Sequence, residues 1–148
     1  MLDPADCGPA TLSMSQDVQG EVYDYPEVFF EEKIHTIRKI YPDPDQIKIA
    51  ADQIKSSKQP IIISGGGVLY AEAEKELSTF AKKHNIPVTS TVMGIGCMTH
   101  DDPYYISAIG CLGEGSSNNL SKDTDLALAV GTKLADFTTG SWTNFQNP

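Results

Sequence analysis

Three observations predict an α/β fold, a doubly wound parallel sheet with helices on both faces. Two short runs, Pro60–Ile61–Ile62–Ile63–Ser64 and Asp125–Leu126–Ala127–Leu128–Ala129–Val130, have no polar face, as expected of strands covered on both sides. Both run straight into glycine, at Gly65–Gly66–Gly67 and at Gly131, where the chain must turn sharply to enter the next element. Strand patterns alternate with helical ones, and right-handed crossovers convert that order into a parallel sheet.

The elements follow in order. Ala10–Thr11–Leu12–Ser13–Met14 alternates like a strand. From Gln16 to Asp43 the composition is acidic, aromatic and proline-bearing, and it reads as a connector whose anchors are Tyr23, Tyr25, Phe29 and Phe30. So many aromatic rings on a linker imply a surface to pack against, such as a neighbouring domain. Asp43–Pro44 supplies an N-cap and a proline at the first helical position. Ile47, Ala50, Ala51 and Ile54 then recur at helical spacing, ending near Lys58 before Pro60. After the isoleucine strand, Tyr70, Ala73, Leu77, Phe80 and Ala81 mark one face of a second helix, which closes at His84–Asn85. Ile86 to Thr91 reads as a strand closed by the Gly94–Ile95–Gly96 turn. The glycine-rich Gly110–Gly115 stretch leads into a short helix over 116–121, and the Asp125–Gly131 strand follows. No internal repeat or low-complexity segment is present. Both ends read as cut, because a strand precedes the connector and no closing element follows the last strand.

Size and charge narrow the function. The 148 residues, 40% hydrophobic, suffice for a real core. A formal charge of −9 disfavours nucleic acid and anionic membrane as partners, since both reward Lys and Arg. No apolar run approaches the ~20 residues that span a bilayer, and the start lacks a signal-peptide layout. Cys7, Cys97 and Cys111 form no CxxC pair and lie near no histidine at ligand spacing, so free thiols in a reducing cytoplasm are expected, as small buried hydrophobes.

Chemistry is sparse. The glycine turn imitates a dinucleotide fingerprint, but its third glycine would fall at Tyr70, and residues 86–96 contain no acid to hold a ribose. Glu72, Glu74 and Glu76 are expected at the start of the following helix, where they would repel a diphosphate. A tight structural turn explains the glycines equally well. Jointly, however, Gly65–Gly67, Gly94–Gly96, Gly110–Gly115 and Gly131 gather along one edge of the sheet as a candidate nucleotide crevice. Its candidate residues are Gly65, Gly66, Gly67, Gly94, Gly110, Gly113, Gly131, Lys133 and Asp136; Lys133 and Asp136 could equally form a surface ion pair. Gly113–Glu114–Gly115 with Asn144 imitates a Mg²⁺ motif, but glutamate is too long for the tight shell of that ion, and Asn144 lies beyond the next strand. His35, His84 and His100 are isolated and read as solvated. No catalytic residue, no metal ligand and no nucleophile elbow is assigned.

The order Gly8–Pro9–Ala10–Thr11–Leu12, Gln16–Asp17–Val18, Ile61 to Val68, Ile86 to Thr91, Gly94–Ile95–Gly96, Ile109–Gly110, Gly113, Asn118 and Asp125 to Thr132 resembles the central domain of thiamine-diphosphate enzymes of the acetohydroxyacid synthase type. Gln16 to Pro26 and Asp136 to Trp142 resemble one hydrolytic branch, which opens an inositol-derived cyclic diketone. The resemblance implies a parent enzyme of three domains, a cytoplasmic homodimer or tetramer. Thiamine diphosphate and Mg²⁺ would sit between its pyrimidine- and diphosphate-binding domains, leaving no cofactor in this stretch. It further implies that residues 1–18 end the pyrimidine-binding domain, 19–43 connect, and 44–148 form an incomplete central domain. Flavin-binding relatives place FAD, and others ADP, at the glycine edge. Lys133 and Asp136 match an Arg and an Asp of the flavin enzymes, while Phe137 replaces their second arginine. An adenine-nucleotide module and another acetolactate synthase-like enzyme are the alternatives.

Overall fold

The computed structural model describes residues 8–36 and 40–147; Cys7 lies outside them. The chain divides into two units, Met1–Gln46 and Ile47–Pro148. In the first, α1 (Gln16–Gln19) and a 3-10 turn (Glu27–Phe29) are the regular elements among the described residues. The predicted strand over 10–14 is instead irregular and exposed. Alternation marks a strand only where a sheet edge offers hydrogen bonds, and this unit has no strand for it to pair with among the described residues. The connector aromatics pack on one another: ring centroids are 4.9 Å apart for Tyr25 and Phe29 and 5.3 Å for Phe29 and Phe30, and all remain more than half exposed.

Helix α2 (Pro44–Ser56) starts as its sequence dictates, with the Asp43 carboxylate accepting the amides of Asp45 at 2.8 Å and Gln46 at 3.2 Å. The second unit holds a four-stranded, all-parallel sheet of β1 (Pro60–Ser64), β2 (Val88–Ser90), β3 (Tyr105–Ala108) and β4 (Leu126–Val130), in the order β3-β2-β1-β4. The chain therefore winds outward from β1 to β3 and returns to place β4 on the other side of β1, which is the doubly wound pattern. Ile62 pairs with Val88 on one side and Leu128 on the other. Ile61, Ile62 and Ile63 are all fully buried, so both faces of β1 are covered. Ile62 joins Val68, Leu77, Ala81, Ile86, Val88, Cys97 and Met98 in the main core. Two buried hydroxyls of the sheet are paired: Ser64 Oγ donates to Thr89 O at 3.0 Å and Thr89 Oγ1 to Ile62 O at 3.2 Å.

Two elements depart from the sequence reading. The single helix expected after β1 is two, α3 (Gly66–Tyr70) and α4 (Glu74–His84). The break is a Schellman turn: the Ala73 amide donates to Val68 O, the Glu72 amide donates to Leu69 O, and Glu72 takes a left-handed φ of 53°. Glutamate occupies a position usually given to glycine, so nothing in the sequence marked the stop. Tyr70, expected on the buried face, is 84% exposed as a result. By contrast Asn85 closes α4 in the left-handed region as read. Strand β3, half-buried at the sheet edge, had no aliphatic run to announce it, and its pairing with β2 slips between Val88 and Thr89. A short helix, α6 (Asp136–Thr139), follows β4.

A buried-side ion pair links α4 to the loop after β2. Asp102 accepts from Lys82 Nζ at 2.8 Å, Ser78 Oγ at 3.0 Å and the Tyr104 amide at 3.1 Å. Lys82 is the main cause, aided by those donors, of a carboxyl pKa held below its ordinary 3.8. A depressed folded pKa stabilises the fold above the unfolded value, and that contribution disappears as pH falls through the folded one. Asp102→Asn should accordingly lower the urea midpoint at neutral pH, and the gap from the unaltered chain should close under strong acid. An equal gap at both pH values would show that charge is not what the site contributes.

Candidate functional site

The switch point of a doubly wound sheet lies between the carboxyl ends of the strands on either side of the reversal, here β1 and β4. Their turns meet directly. The Gly65 amide donates to Val130 O and the Gly67 amide to Gly131 O, both at 2.9 Å. A Cβ on Gly67 would lie 2.6 Å from Gly131 Cα, and one on Gly65 would overlap the Thr132 side chain. Gly131 itself has φ +59°, and a Cβ there would lie 2.7 Å from the Val68 nitrogen. Gly94 sits against Gly65, 2.9 Å from its Cα by the same construction, with its amide donating to Thr91 O. Only glycine lets these backbones approach so closely.

The candidate residues are thus gathered along one edge, and most of their amides are spent. Those of Gly65, Gly67, Gly94, Gly110 and Gly113 all donate inside the chain. The acids expected beside the glycine turn are not at the start of its helix: α3 opens at Gly66 with no acidic residue in its first turn, while Glu74 and Glu76 open α4. Lys133 and Asp136 are both exposed and make no ion pair with each other, so the expected surface pair is not formed. Asp136 instead occupies the first turn of α6, where a carboxylate suits the helix dipole. Cys97 is buried as expected, but Cys111 is exposed, because it follows the left-handed Gly110 on an outward turn. His35, His84 and His100 are exposed.

The clamp that holds the β3 turn is Asn118. Its Oδ1 accepts the Gly110 amide at 2.8 Å, its Nδ2 donates to Gly110 O at 3.0 Å, and Asn144 Nδ2 donates to the same Oδ1 at 3.1 Å. Asn118→Ala should cost about 2 kcal/mol, since three bonds to partly buried groups are lost together. Asn118→Asp keeps the acceptor and should recover part of that loss. Urea unfolding of the two variants measures this, and equal midpoints would dismiss the clamp. Sequence alone gave Asn118 only a place in a family pattern; its role needs the spatial partner Asn144.

The residues present do not fit thiamine diphosphate or its Mg²⁺. Asn144 is buried with its amide committed to Asn118, and Glu114 is an exposed residue preceding α5 (Gly115–Lys122). No group of three His, Cys, Asp or Glu side chains placed to hold a metal occurs among the described residues. Next to the edge is an open cleft of about 520 Å³ lined by Ile95, Met98, His100, Tyr105, Leu112 and Glu114 among others, more apolar than polar. No described helix is long and apolar enough to cross a membrane.

A four-stranded parallel sheet in this order, with glycine turns packed against one another, defines a doubly wound α/β domain. The chain belongs to the thiamine pyrophosphate enzyme central domain family, whose model matches residues 47–148. It is 42% identical over 148 residues to the 3D-(3,5/4)-trihydroxycyclohexane-1,2-dione hydrolase of Clostridium perfringens strain 13, covering 100% of this chain and 23% of that protein. The hydrolase of the same name from Clostridium botulinum strain Alaska E43 is 43% identical over 148 residues, and that from Bacillus thuringiensis strain Al Hakam 40% over 147, again at 23% of their lengths. The chain therefore spans under a quarter of the curated relatives it matches.

Proposed function

We propose that this chain is the central domain of a thiamine-diphosphate-dependent hydrolase that opens 3D-(3,5/4)-trihydroxycyclohexane-1,2-dione to 5-deoxy-glucuronate in myo-inositol catabolism. One observation carries the reading: identity near 42% extends over the whole chain, including the residues before 47 that the family model does not match. The domain's own part is structural. It supplies a rigid sheet that keeps the flanking pyrimidine- and diphosphate-binding domains in register, and water adds across the ring C–C bond at groups those domains provide. Thiamine diphosphate and Mg²⁺ belong to the parent, a cytoplasmic homodimer or tetramer. Residues 1–18 then end the preceding domain and 19–43 connect it to the central domain from 44 onward.

The test is ring opening by the purified full-length protein. Loss of the dione should require thiamine diphosphate and Mg²⁺, and residues 1–148 alone should show none. Acetolactate formation from pyruvate without ring opening would move the protein to another acetolactate synthase-like activity.

A second reading is favoured by the strand order, which puts Gly65, Gly66, Gly67 and Gly131 at the switch point where α/β proteins hold nucleotides. Gly94, Gly110, Gly113, Lys133 and Asp136 would complete such a site for FAD or ADP. A rise in melting temperature with either ligand supports it; the absence of any shift leaves the structural role.

A further inference from the structure

The turn after α6 carries the densest run of left-handed backbone among the described residues. Gly140, Ser141 and Trp142 take φ of 57, 53 and 60° in succession, and Phe145 takes 59°. In that region the Cβ of an L-residue crowds the following carbonyl oxygen, so such residues ordinarily occur singly and as glycine. Burial does not offset the cost, because Ser141 is exposed and Trp142 is 62% exposed.

Hydrogen bonds hold the turn instead. The Ser141 amide donates to Asp136 O at 2.9 Å, the Thr143 amide to Gly140 O at 3.0 Å and the Asn144 amide to Thr139 O at 3.2 Å. The Trp142 amide donates to Oγ1 of the fully buried Thr139 at 3.1 Å. Strained backbone persists only where its surroundings over-determine it, and it collects in switch regions.

Three links fasten this segment to the turn after β3. Asn144, itself buried, donates from Nδ2 to Asn118 Oδ1, the atom that also accepts the Gly110 amide. The Cys111 amide donates to Phe137 O at 2.8 Å. Gly110 lies flat against α6, where a Cβ would come within 2.8 Å of Thr138 O. A second tether, from Asn147 Nδ2 to Asp123 O at 3.0 Å, holds the far end of the segment to the residue that follows α5.

We propose that residues 140–142 form a strained strap, latched by Asn144 onto Asn118, and that the strap and the Gly110 turn open and close together. Breaking the latch lets the left-handed residues relax and takes from Asn118 one of the bonds that orient it toward Gly110. Local opening of this kind lies well below the free energy of global unfolding. It gives the β3 end of the glycine edge two states, whatever ligand or reaction the parent protein serves.

Hydrogen–deuterium exchange of the full-length protein, resolved by peptic peptides and corrected for intrinsic rates, tests the coupling. Ser141→Gly keeps the bonds of the strap and relieves its backbone. It should slow exchange several-fold over residues 139–146 and also over 110–114. Slowing confined to 139–146 would overturn the proposal, since the two turns would then open independently, and unchanged exchange in both would show that no strain is held there. Asn144→Ala removes the latch and should speed exchange several-fold in both segments while β1, residues 60–64, stays protected. Equal acceleration over 60–64 would also overturn the proposal, because the loss would then be global. Should that variant fail to fold, Ser141→Gly, at an exposed position, decides the matter alone.

Discussion

Gly131→Val is expected to lower the stability of the folded chain by on the order of 3–5 kcal/mol, a large part of what a domain possesses. Two costs combine. At φ +59° a β-branched residue is held in the left-handed region. The new carbon would also stand 2.7 Å from the Val68 nitrogen and 2.8 Å from Gly67 Cα, neither of which is the movable end of a side chain. Relief would require the β1 and β4 turns to separate, which sacrifices the bond from the Gly67 amide to Gly131 O. Gly115→Ala is the control: a Cβ there meets nothing within 4 Å, and the change should stay within about 0.5 kcal/mol. Urea unfolding of both variants measures the contrast. Equal midpoints would mean that the two turns do not touch as described.

Ile62→Ala should cost about 2–5 kcal/mol, the range for truncating a fully enclosed aliphatic side chain. Ile62 sits in the middle of β1 with Val88 and Leu128 as its register partners, and its core neighbours come from α3, α4, β2 and the loop after β2. Residues drawn from so many elements cannot all shift to fill the gap, so the cavity persists. Ile47→Ala in α2, at a position 53% exposed, should change stability by no more than about 0.5 kcal/mol. Thermal or urea melts of the pair separate the positions, and a comparable loss at Ile47 would show that burial does not rank them.

The isoleucine strand shows where reading along the chain succeeds, while Ile47, read onto the apolar face of α2, is exposed. Ile61–Ile63 leaves no side for water, and the strand is buried on both faces. Asp43–Pro44 and Asn85 announce a helix start and a helix stop because capping chemistry lies within a few residues of the end it caps. Failures have equally local causes. The left-handed residue that ends α3 is a glutamate, so the break at 71–73 carries no punctuation. Strand β3 is half-buried at an edge, where the selection for aliphatic residues is relaxed. Ala10–Met14 alternates with no strand to pair with among the described residues of its unit.

The edge residues repeat the pattern at the level of function. Glycine at each strand end was legible, and so was its gathering along one edge. What the glycines do there was not, because an amide is free or spent according to a partner elsewhere in the chain: Gly67 is answered by Gly131, and Gly110 by Asn118.

By itself the amino-acid order determined the parallel α/β class and its most deeply buried strand, since both depend on residue type and short-range periodicity. Only the tertiary structure decided that the glycine turns close on one another. Contact between distant segments is created by packing, and no local pattern encodes which backbones will come within van der Waals reach.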